Sequence, residues 1–398
     1  MNPKLDDLHL YPFERLDALK ATLTPPARLE HIALSIGEPK HPPPEFMVEF
    51  LARADTITRG LAAYPPTRGS PALRGAAAAW AIQRYRLAAQ SLDPERNVLP
   101  VVGTREALFS FAQAVVEGNP RSLVLLPNPF YQIYEGAAIL SGAQPFYVDA
   151  HGGREVFEAL APDVWRRCEL LYICTPNNPT GNVLSLDDLT YLIELADEFD
   201  FVIASDECYS EIYFDENAPP AGILQACASV GRNDYKRCVA FQSLSKRSNL
   251  PGLRSGFVAG DAEILERYYL YRTYHGCAMS EHSQAASALA WSDEAHVVTN
   301  RALYREKFER VLPMLDGLMD VAMPQAAFYL WPRTPMDDVE FAARLFEQEH
   351  ISVLPGSFLA RESDGLNPGV GHVRMALVAT LAECEEAAER LARFIASL

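Results

Sequence analysis

The sequence predicts an α/β fold in which a mostly parallel sheet is covered by helices on both faces and a smaller α+β domain follows. Three observations support this prediction. Between residues 98 and 260, short β-rich runs alternate with helical patterns, as they do where helical crossovers join parallel strands. The 398 residues are too many for one simple core, so two domains are expected. Residues 290–398 also contain their own predicted strands and a closing helix.

The predicted elements follow one another along the chain. Residues 1–45 are rich in proline and are expected to form an arm that packs on the small domain or on a second subunit. Residues 46–289 are expected to form the large domain, with strands at residues 98–102, 122–126, 145–148, 169–174, 201–205, 238–241 and 256–260. Its helices are predicted at residues 104–116, 131–140 and 185–199. Helical stretches at residues 262–272 and 283–315 lead into the small domain, residues 290–398, with strands predicted at residues 327–331, 351–354 and 372–376 and a last helix at residues 381–398.

The composition is that of an acidic globular protein. There are 35 basic and 52 acidic side chains, a net charge of −17, and no block of like charges, which argues against nucleic acid or an anionic membrane as partner. The seven cysteines are scattered, without a C-x-x-C pair, and no metal site is expected. The chain contains neither an apolar leader nor a stretch of membrane-spanning length, so a cytoplasmic location is expected.

The residues that carry chemistry follow the predicted strands, where ligands bind in parallel sheets. Lys246 comes three residues after Ser243, one after Ser245 and eight before Arg254. This group suits a phosphate-bearing aldehyde, because the amine can form a Schiff base while its neighbours bind the phosphate. A solvated basic turn explains this segment alone equally well.

Three polar residues, Asp206, Tyr209 and Asn178, follow two neighbouring strands. Asp206 ends an apolar strand, where a carboxylate is costly unless a cation such as a pyridinium nitrogen pairs with it. Tyr209 comes three residues later and could donate to a phenolic oxygen on the same ring. Asn178 lies in the turn at residues 175–181 and could reach that oxygen as well. Each residue also suits an ordinary turn or strand end.

Four further residues suit a phosphate or an aromatic ring. Thr104 and Arg105 follow Gly103 at a predicted helix start, where backbone amides and the helix dipole favour an anion, although Thr is also an ordinary N-cap. Tyr131 follows another strand and could stack on a cofactor ring. Tyr64 could donate a hydrogen bond to a phosphate or simply pack a turn.

Arg374 lies in the predicted strand at residues 372–376 of the small domain. A charged residue at the centre of a short alternating strand suggests an edge strand with an exposed arginine. The alternative is a bidentate clamp on a substrate α-carboxylate, because the guanidinium fork matches that group in shape.

In their order along the chain, these motifs resemble the fold-type I enzymes that depend on pyridoxal 5'-phosphate (PLP), in the class I/II aminotransferase family, over nearly the whole length. The resemblance implies a seven-stranded, mostly parallel sheet in the large domain and a homodimer with active sites at its interface. It implies catalytic roles for three residues: Lys246 as the Schiff-base lysine, Asp206 on the pyridine nitrogen and Tyr209 on the phenolic oxygen.

The resemblance also implies the remaining contacts. Asn178 would share the phenolic oxygen, and Tyr131 would stack on the ring. The PLP phosphate would be held by Thr104, Arg105, Ser243, Ser245 and Arg254, with Tyr64 reaching over from the partner subunit. The substrate would contact Gly37, Asn178 and Arg374.

Within the family, residues 37–42, 243–257 and 271–280 resemble the N-succinyldiaminopimelate aminotransferases, which use glutamate as amino donor in lysine and diaminopimelate biosynthesis. The acceptor of that subfamily carries carboxylates far from the reacting carbon. Candidate residues for binding them are Arg272, His275, Ser280, Tyr11 and Phe13, each of which could instead pack at an interface.

Three alternatives remain at this point. An aminotransferase for alanine, aspartate or aromatic amino acids would share the motifs, and a PLP-dependent β-lyase would share every cofactor residue. A PLP-binding transcription regulator would need a winged-helix DNA-binding module before these motifs. The motifs begin by residue 37, which leaves no room for such a module, and the acidic charge does not favour binding to DNA.

Overall fold

The structure is a computed structural model that describes residues 1–398, except for the side chain of Arg59. The strands are β1 (Ile32–Ala33), β2 (Val98–Val101), β3 (Leu123–Asn128), β4 (Gln144–Asp149), β5 (Cys168–Cys174), β6 (Val202–Asp206), β7 (Cys238–Ser243), β8 (Gly256–Gly260), β9 (Tyr329–Leu330), β10 (Ile351–Ser352), β11 (Leu354–Pro355) and β12 (Val373–Ala376). The α-helices are α1 (Pro12–Lys20), α2 (Glu45–Leu51), α3 (Ala54–Ala62), α4 (Pro71–Tyr85), α5 (Thr104–Val115), α6 (Ile133–Ser141), α7 (Arg154–Glu158), α8 (Pro162–Arg167), α9 (Leu186–Phe199), α10 (Ile223–Ser229), α11 (Leu244–Arg247), α12 (Ala262–His275), α13 (Glu281–Ser292), α14 (Ala295–Leu315), α15 (Asp338–Glu349) and α16 (Leu381–Ala396).

Seven strands form one large sheet in the order β2-β8-β7-β6-β5-β3-β4. Strand β8 runs antiparallel to both of its neighbours, and the other pairings are parallel. The predicted α/β fold with a mostly parallel seven-stranded sheet is therefore confirmed.

Apolar side chains cover both faces of this sheet. In β5, Leu171 and Ile173 belong to one buried cluster, whereas Leu170 and Tyr172 belong to another. Successive side chains of a strand point to opposite faces, so this alternation places one core on each side. A strand that is buried on both faces reads as a continuous apolar run, which is why strands such as β5 and β7 could be predicted.

The C-terminal part of the chain has a separate buried cluster around a three-stranded antiparallel sheet, β11-β12-β9. The expectation that Arg374 lies on an edge strand is wrong, because β12 is the central strand and Arg374 is only 4% exposed. Strand β1 pairs in parallel with β10, and α1 packs on β11, so the N-terminal residues contact this part of the molecule. The proposed boundaries of arm, large domain and small domain stay a prediction.

The helical stretch predicted at residues 283–315 is divided in two. Asp293 has an extended backbone between α13 and α14, and its carboxylate accepts a hydrogen bond from the backbone of His296 at 3.1 Å. This side chain caps the first turn of α14 and so favours the break. Among the described residues, no helix is both long and apolar enough to cross a membrane.

Candidate active site

A cavity of about 550 Å³ opens at the carboxyl ends of the large-sheet strands, beside β12 and the N-terminal residues. It brings together all but one of the predicted site residues: Gly37, Thr104, Arg105, Tyr131, Asn178, Asp206, Tyr209, Ser243, Ser245, Lys246, Arg254 and Arg374. Tyr64 does not line it and is fully exposed. Its predicted role at a partner's phosphate stays a prediction.

Lys246 faces this cavity from the short helix that follows β7. The Ser243 side chain caps the helix by accepting a hydrogen bond from the Ser245 backbone at 3.1 Å, and so turns the chain out of the sheet. The Lys246 amine donates to the Gly37 carbonyl at 2.5 Å. Burial lowers the pKa of this amine to about 8. A substantial fraction of the amine is therefore neutral near pH 8 and able to act as nucleophile or base.

Asp206 ends β6 and is 4% exposed. Burial raises the pKa of its carboxyl group, but hydrogen bonds from Cys208 and Tyr134 oppose that shift. The Tyr134 hydroxyl donates to Oδ2 at 2.6 Å, and the Cys208 backbone donates to Oδ1 at 3.2 Å. Both oxygens are therefore oriented, while the carboxylate still lines the cavity.

Sequence reasoning missed Tyr134. This side chain is fully buried in α6, where an apolar residue would otherwise be expected. A buried tyrosine usually needs a partner for its hydroxyl, and that rule is the signal that could have identified it.

Arg374 lies opposite, on β12, with its guanidinium held by two acceptors. It donates to Asn178 Oδ1 at 2.9 Å and to the Ser35 carbonyl at 2.8 Å. Its Nε is buried without a hydrogen-bond partner. The fork is therefore fixed in position and still has donor capacity for an anion.

Tyr329 is a second lining residue that the sequence did not indicate. Its hydroxyl forms a 2.8 Å hydrogen bond with the Tyr209 hydroxyl. It also fills the space beside Gly37, where a Cβ would lie 1.9 Å from the Tyr329 oxygen. Gly37 therefore lets the N-terminal residues approach closely enough for its carbonyl to meet Lys246.

The start of α5 forms a small cradle at one end of the cavity. Gly103 has a φ of +79°, and a Cβ there would lie 2.4 Å from an Arg254 guanidinium nitrogen. A side chain at this position would displace Arg254, so the site is built to bring a cation close to the helix N-terminus. Such an arrangement binds anions, because the amides and the helix dipole favour negative charge. Ser243, Ser245 and Thr104 border the same cavity.

The residues suggested for remote carboxylates do not all lie here. The suggestion of Arg272 is wrong, because its buried guanidinium is paired with Glu106 at 2.8 and 2.9 Å and does not line the cavity. His275 and Ser280 also lie outside the cavity lining, whereas Tyr11 and Phe13 belong to it.

The family model described as "Aminotransferase class I and II" matches residues 30–391. An LL-diaminopimelate aminotransferase from Syntrophobacter fumaroxidans is 30% identical over 400 residues, which cover 96% of this chain and 95% of that protein.

Two solved structures show the same fold. An aminotransferase from Neisseria meningitidis is 48% identical, with a TM-score of 0.91 and coverage of 98% of this chain and 99% of that one. A probable N-succinyldiaminopimelate aminotransferase from Thermus thermophilus is 30% identical, with a TM-score of 0.83 and coverage of 96% of this chain and 100% of that one.

Proposed function

The chain belongs to the class I and II aminotransferase family, and on this premise we propose that it is an N-succinyl-LL-2,6-diaminopimelate:2-oxoglutarate aminotransferase of lysine and diaminopimelate biosynthesis. The observation that carries the reaction type is the convergence of Lys246, Asp206 and Arg374 on one cavity. The substrate is supported by the resemblance of three segments to this subfamily and by the name of the Thermus relative.

Enzymes of this family use PLP, and the residues of this cavity fit that cofactor. The cradle at Gly103 and Arg254 suits a phosphate, the Asp206 carboxylate suits a ring nitrogen that carries a proton, and the Lys246 amine suits an aldehyde. When bound, PLP supplies a carbonyl group that takes up the substrate's amino group and a ring that withdraws electrons from Cα.

The protein's own groups then divide the work. Arg374 holds the substrate α-carboxylate through its guanidinium fork, which sets the orientation of Cα. Lys246 Nζ removes the Cα proton, and its lowered pKa of about 8 leaves it partly neutral for that purpose. Asp206 stays ionised with the help of Tyr134 and Cys208 and keeps the ring nitrogen protonated.

We also propose a homodimer in which Tyr64 contacts the phosphate bound by the partner subunit. Tyr64 is fully exposed, and Leu61 at the end of α3 is 76% exposed. Large apolar side chains at such exposure mark a surface that another chain can cover.

Free LL-diaminopimelate is the second candidate substrate, because the Syntrophobacter relative is named for it. The two candidates differ at the end remote from the reacting carbon. Free diaminopimelate carries an ammonium group there, which the succinyl group converts into an amide with an additional carboxylate. Aminotransferases specific for alanine, aspartate or aromatic amino acids would use the same cofactor residues, and so would a β-lyase.

The test is a panel of reactions with PLP-loaded protein. Glutamate and N-succinyl-2-amino-6-oxopimelate should yield 2-oxoglutarate faster than glutamate paired with pyruvate, oxaloacetate or an aromatic keto acid. A parallel reaction with LL-diaminopimelate as amino donor and 2-oxoglutarate as acceptor tests the second candidate substrate. The Lys246→Ala variant, with its fold checked by circular dichroism, should give no turnover.

The outcomes separate the parts of the proposal. Faster turnover of free LL-diaminopimelate would replace the proposed substrate and leave the reaction type intact. If no pair of substrates supports amino transfer, and a β-substituted amino acid instead releases ammonia and pyruvate, the proposed aminotransferase reaction would be rejected in favour of a β-lyase reaction.

A further inference from the structure

We propose that Asn300 and His41 are positioning residues for Lys246, and that they hold the backbone from which the reacting amine extends. Neither residue lines the cavity. The inference rests on the proposed function, in which Lys246 Nζ removes the Cα proton. It adds two residues that act through this lysine and touch neither cofactor nor substrate.

The helix that carries Lys246 is capped from outside. Helix α11 spans only Leu244–Arg247, and the last carbonyl groups of a helix have no partner within it. The Asn300 side-chain amide donates to the Lys246 carbonyl at 3.2 Å and to the Arg247 carbonyl at 3.3 Å. Asn300 therefore satisfies the end of α11 at the residue that reacts.

Packing alone does not explain Asn300. It lies on the buried face of α14 with Val297, Tyr304 and Phe308, which follow one another at helical spacing. Asn300 is 7% exposed, and so deeply buried an amide is costly unless its polar atoms are hydrogen-bonded. An apolar residue would suit this face better, so the hydrogen bonds to α11 are the reason for an amide here.

His41 fixes the orientation of the Asn300 amide. Its Nδ1 lies 2.8 Å from Asn300 Oδ1. Because the two backbone carbonyls can only accept, the amide nitrogen faces α11 and the amide oxygen faces His41, so Nδ1 carries a proton. Burial lowers the pKa of His41, which leaves Nδ1–H as the one donor of a neutral ring near pH 7. Its Nε2 is buried and finds no hydrogen-bond partner among the described residues.

The backbone of His41 is tied to the same loop. The Asn249 amide donates to the carbonyls of His41 and Pro42, the latter at 3.3 Å. The N-terminal segment therefore holds Lys246 at two places, through the backbone near His41 and through the Gly37 carbonyl at the amine. Lysine reaches its target on a flexible four-carbon stem, so the position of its backbone sets where the amine can act.

Hydrogen–deuterium exchange of the PLP-loaded protein measures the cap directly. Asn300→Leu keeps a similar volume and removes the hydrogen bonds of the amide. We expect the backbone amides of residues 244–250 to exchange about tenfold faster than in wild type, because the end of α11 opens more often. Unchanged exchange in this segment would overturn the inference.

Asn97→Leu is the matched control. Asn97 is 8% exposed and donates to the Gly260 carbonyl at 2.7 Å. It lies at the other end of the sheet, since Gly260 pairs with Val239 near the start of β7, whereas Lys246 follows the end of that strand. The substitution removes a comparable buried amide and should leave exchange of residues 244–250 as in wild type.

A single-turnover reaction tests whether the cap positions the amine. The absorbance of bound PLP is followed as glutamate reacts with it at a series of concentrations. Asn300→Leu should lower the maximal rate about 10- to 100-fold, because a reacting group misplaced by ~1 Å costs up to that factor. The glutamate concentration at half-maximal rate should change less than about threefold, because Arg374 is untouched. Equal maximal rates in Asn300→Leu and Asn97→Leu would overturn the inference.

Two substitutions of His41 isolate its donor. Asparagine places an amide nitrogen near the position of Nδ1, whereas glutamine places one near Nε2. Both remove the imidazole ring, which lies 4.5 Å from the Tyr304 ring, so both lose the same packing. We expect His41→Asn to keep a maximal rate within about threefold of wild type and His41→Gln to lose about tenfold. Equal rates in the two variants would reject the role of the His41 donor.

The failure of this inference is distinguishable from the failure of the proposed function. The substrate panel uses wild-type protein and decides the reaction and its acceptor, whereas the exchange measurement needs no substrate. Faster exchange in Asn300→Leu, with no amino transfer by wild type, would retain the cap and reject the function. Amino transfer by wild type, with unchanged exchange and rate in Asn300→Leu, would retain the function and reject the inference.

Discussion

The hydrogen bond from Tyr134 to Asp206 makes a quantitative prediction about cofactor affinity. Both side chains are buried, and the oxygen atoms are 2.6 Å apart. A hydrogen bond to a charged group contributes about 1.5–3 kcal/mol. Tyr134→Phe removes it, so the ionised form of Asp206 that pairs with the ring nitrogen becomes less stable by up to that amount. We expect the dissociation constant of PLP to rise about 10- to 150-fold.

Tyr172→Phe is the matched control for this substitution. The Tyr172 ring stacks on Tyr134 at 4.8 Å and is equally buried, but its hydroxyl donates to the Leu108 carbonyl at 2.6 Å. Both variants lose one buried hydroxyl, and urea denaturation of the apoproteins measures what each loses in stability. Absorbance titration with PLP then isolates the effect on the site. Wild-type affinity in Tyr134→Phe, or an equal loss of affinity in Tyr172→Phe, would refute the reasoning.

Two further predictions concern the reacting groups. Arg374→Ala should lower kcat/KM for every amino acid by an amount that corresponds to ~2–5 kcal/mol of lost transition-state stabilisation, because it removes one partner of a buried charge pair. Steady-state kinetics with glutamate and with alanine measure this loss, and an unchanged kcat/KM for either amino acid would contradict the prediction. The rate at which PLP reacts with the apoprotein should rise with pH around a midpoint near 8, because the neutral Lys246 amine is the nucleophile and predominates above its pKa. A midpoint near 10.5, the ordinary pKa of lysine, would show that burial does not lower it.

Local pattern was enough to predict the elements of the large sheet. The runs that became β5 and β7 are apolar on both faces, and the helix α9 begins at Ser185, whose side chain and that of Asp188 form a capping box. Such signals lie within a few residues of each other, so they are visible in the sequence. Their boundaries moved by only a few residues in the structure.

The site residues that were missed or misplaced depend on contacts between distant parts of the chain. Arg374 was expected on an edge because nothing in β12 reveals that β9 and β11 flank it. Arg272 was offered as a ligand-binding cation because its partner, Glu106, lies 166 residues away. Tyr329 meets Tyr209 across 120 residues. Which arginine is free and which is paired is therefore a property of the fold and not of the local pattern.

The pairing of β1 with β10 has a consequence for how the molecule is made. His31 and Ser352, whose side chains hydrogen-bond beside this pair, are 321 residues apart in the chain. At a synthesis rate of about 5–20 residues per second, the N-terminal segment remains without its strand partner for on the order of 15–60 s. Gly37, whose carbonyl meets Lys246, follows that segment. The pocket around the reactive amine is therefore completed only after nearly the whole polypeptide has left the ribosome.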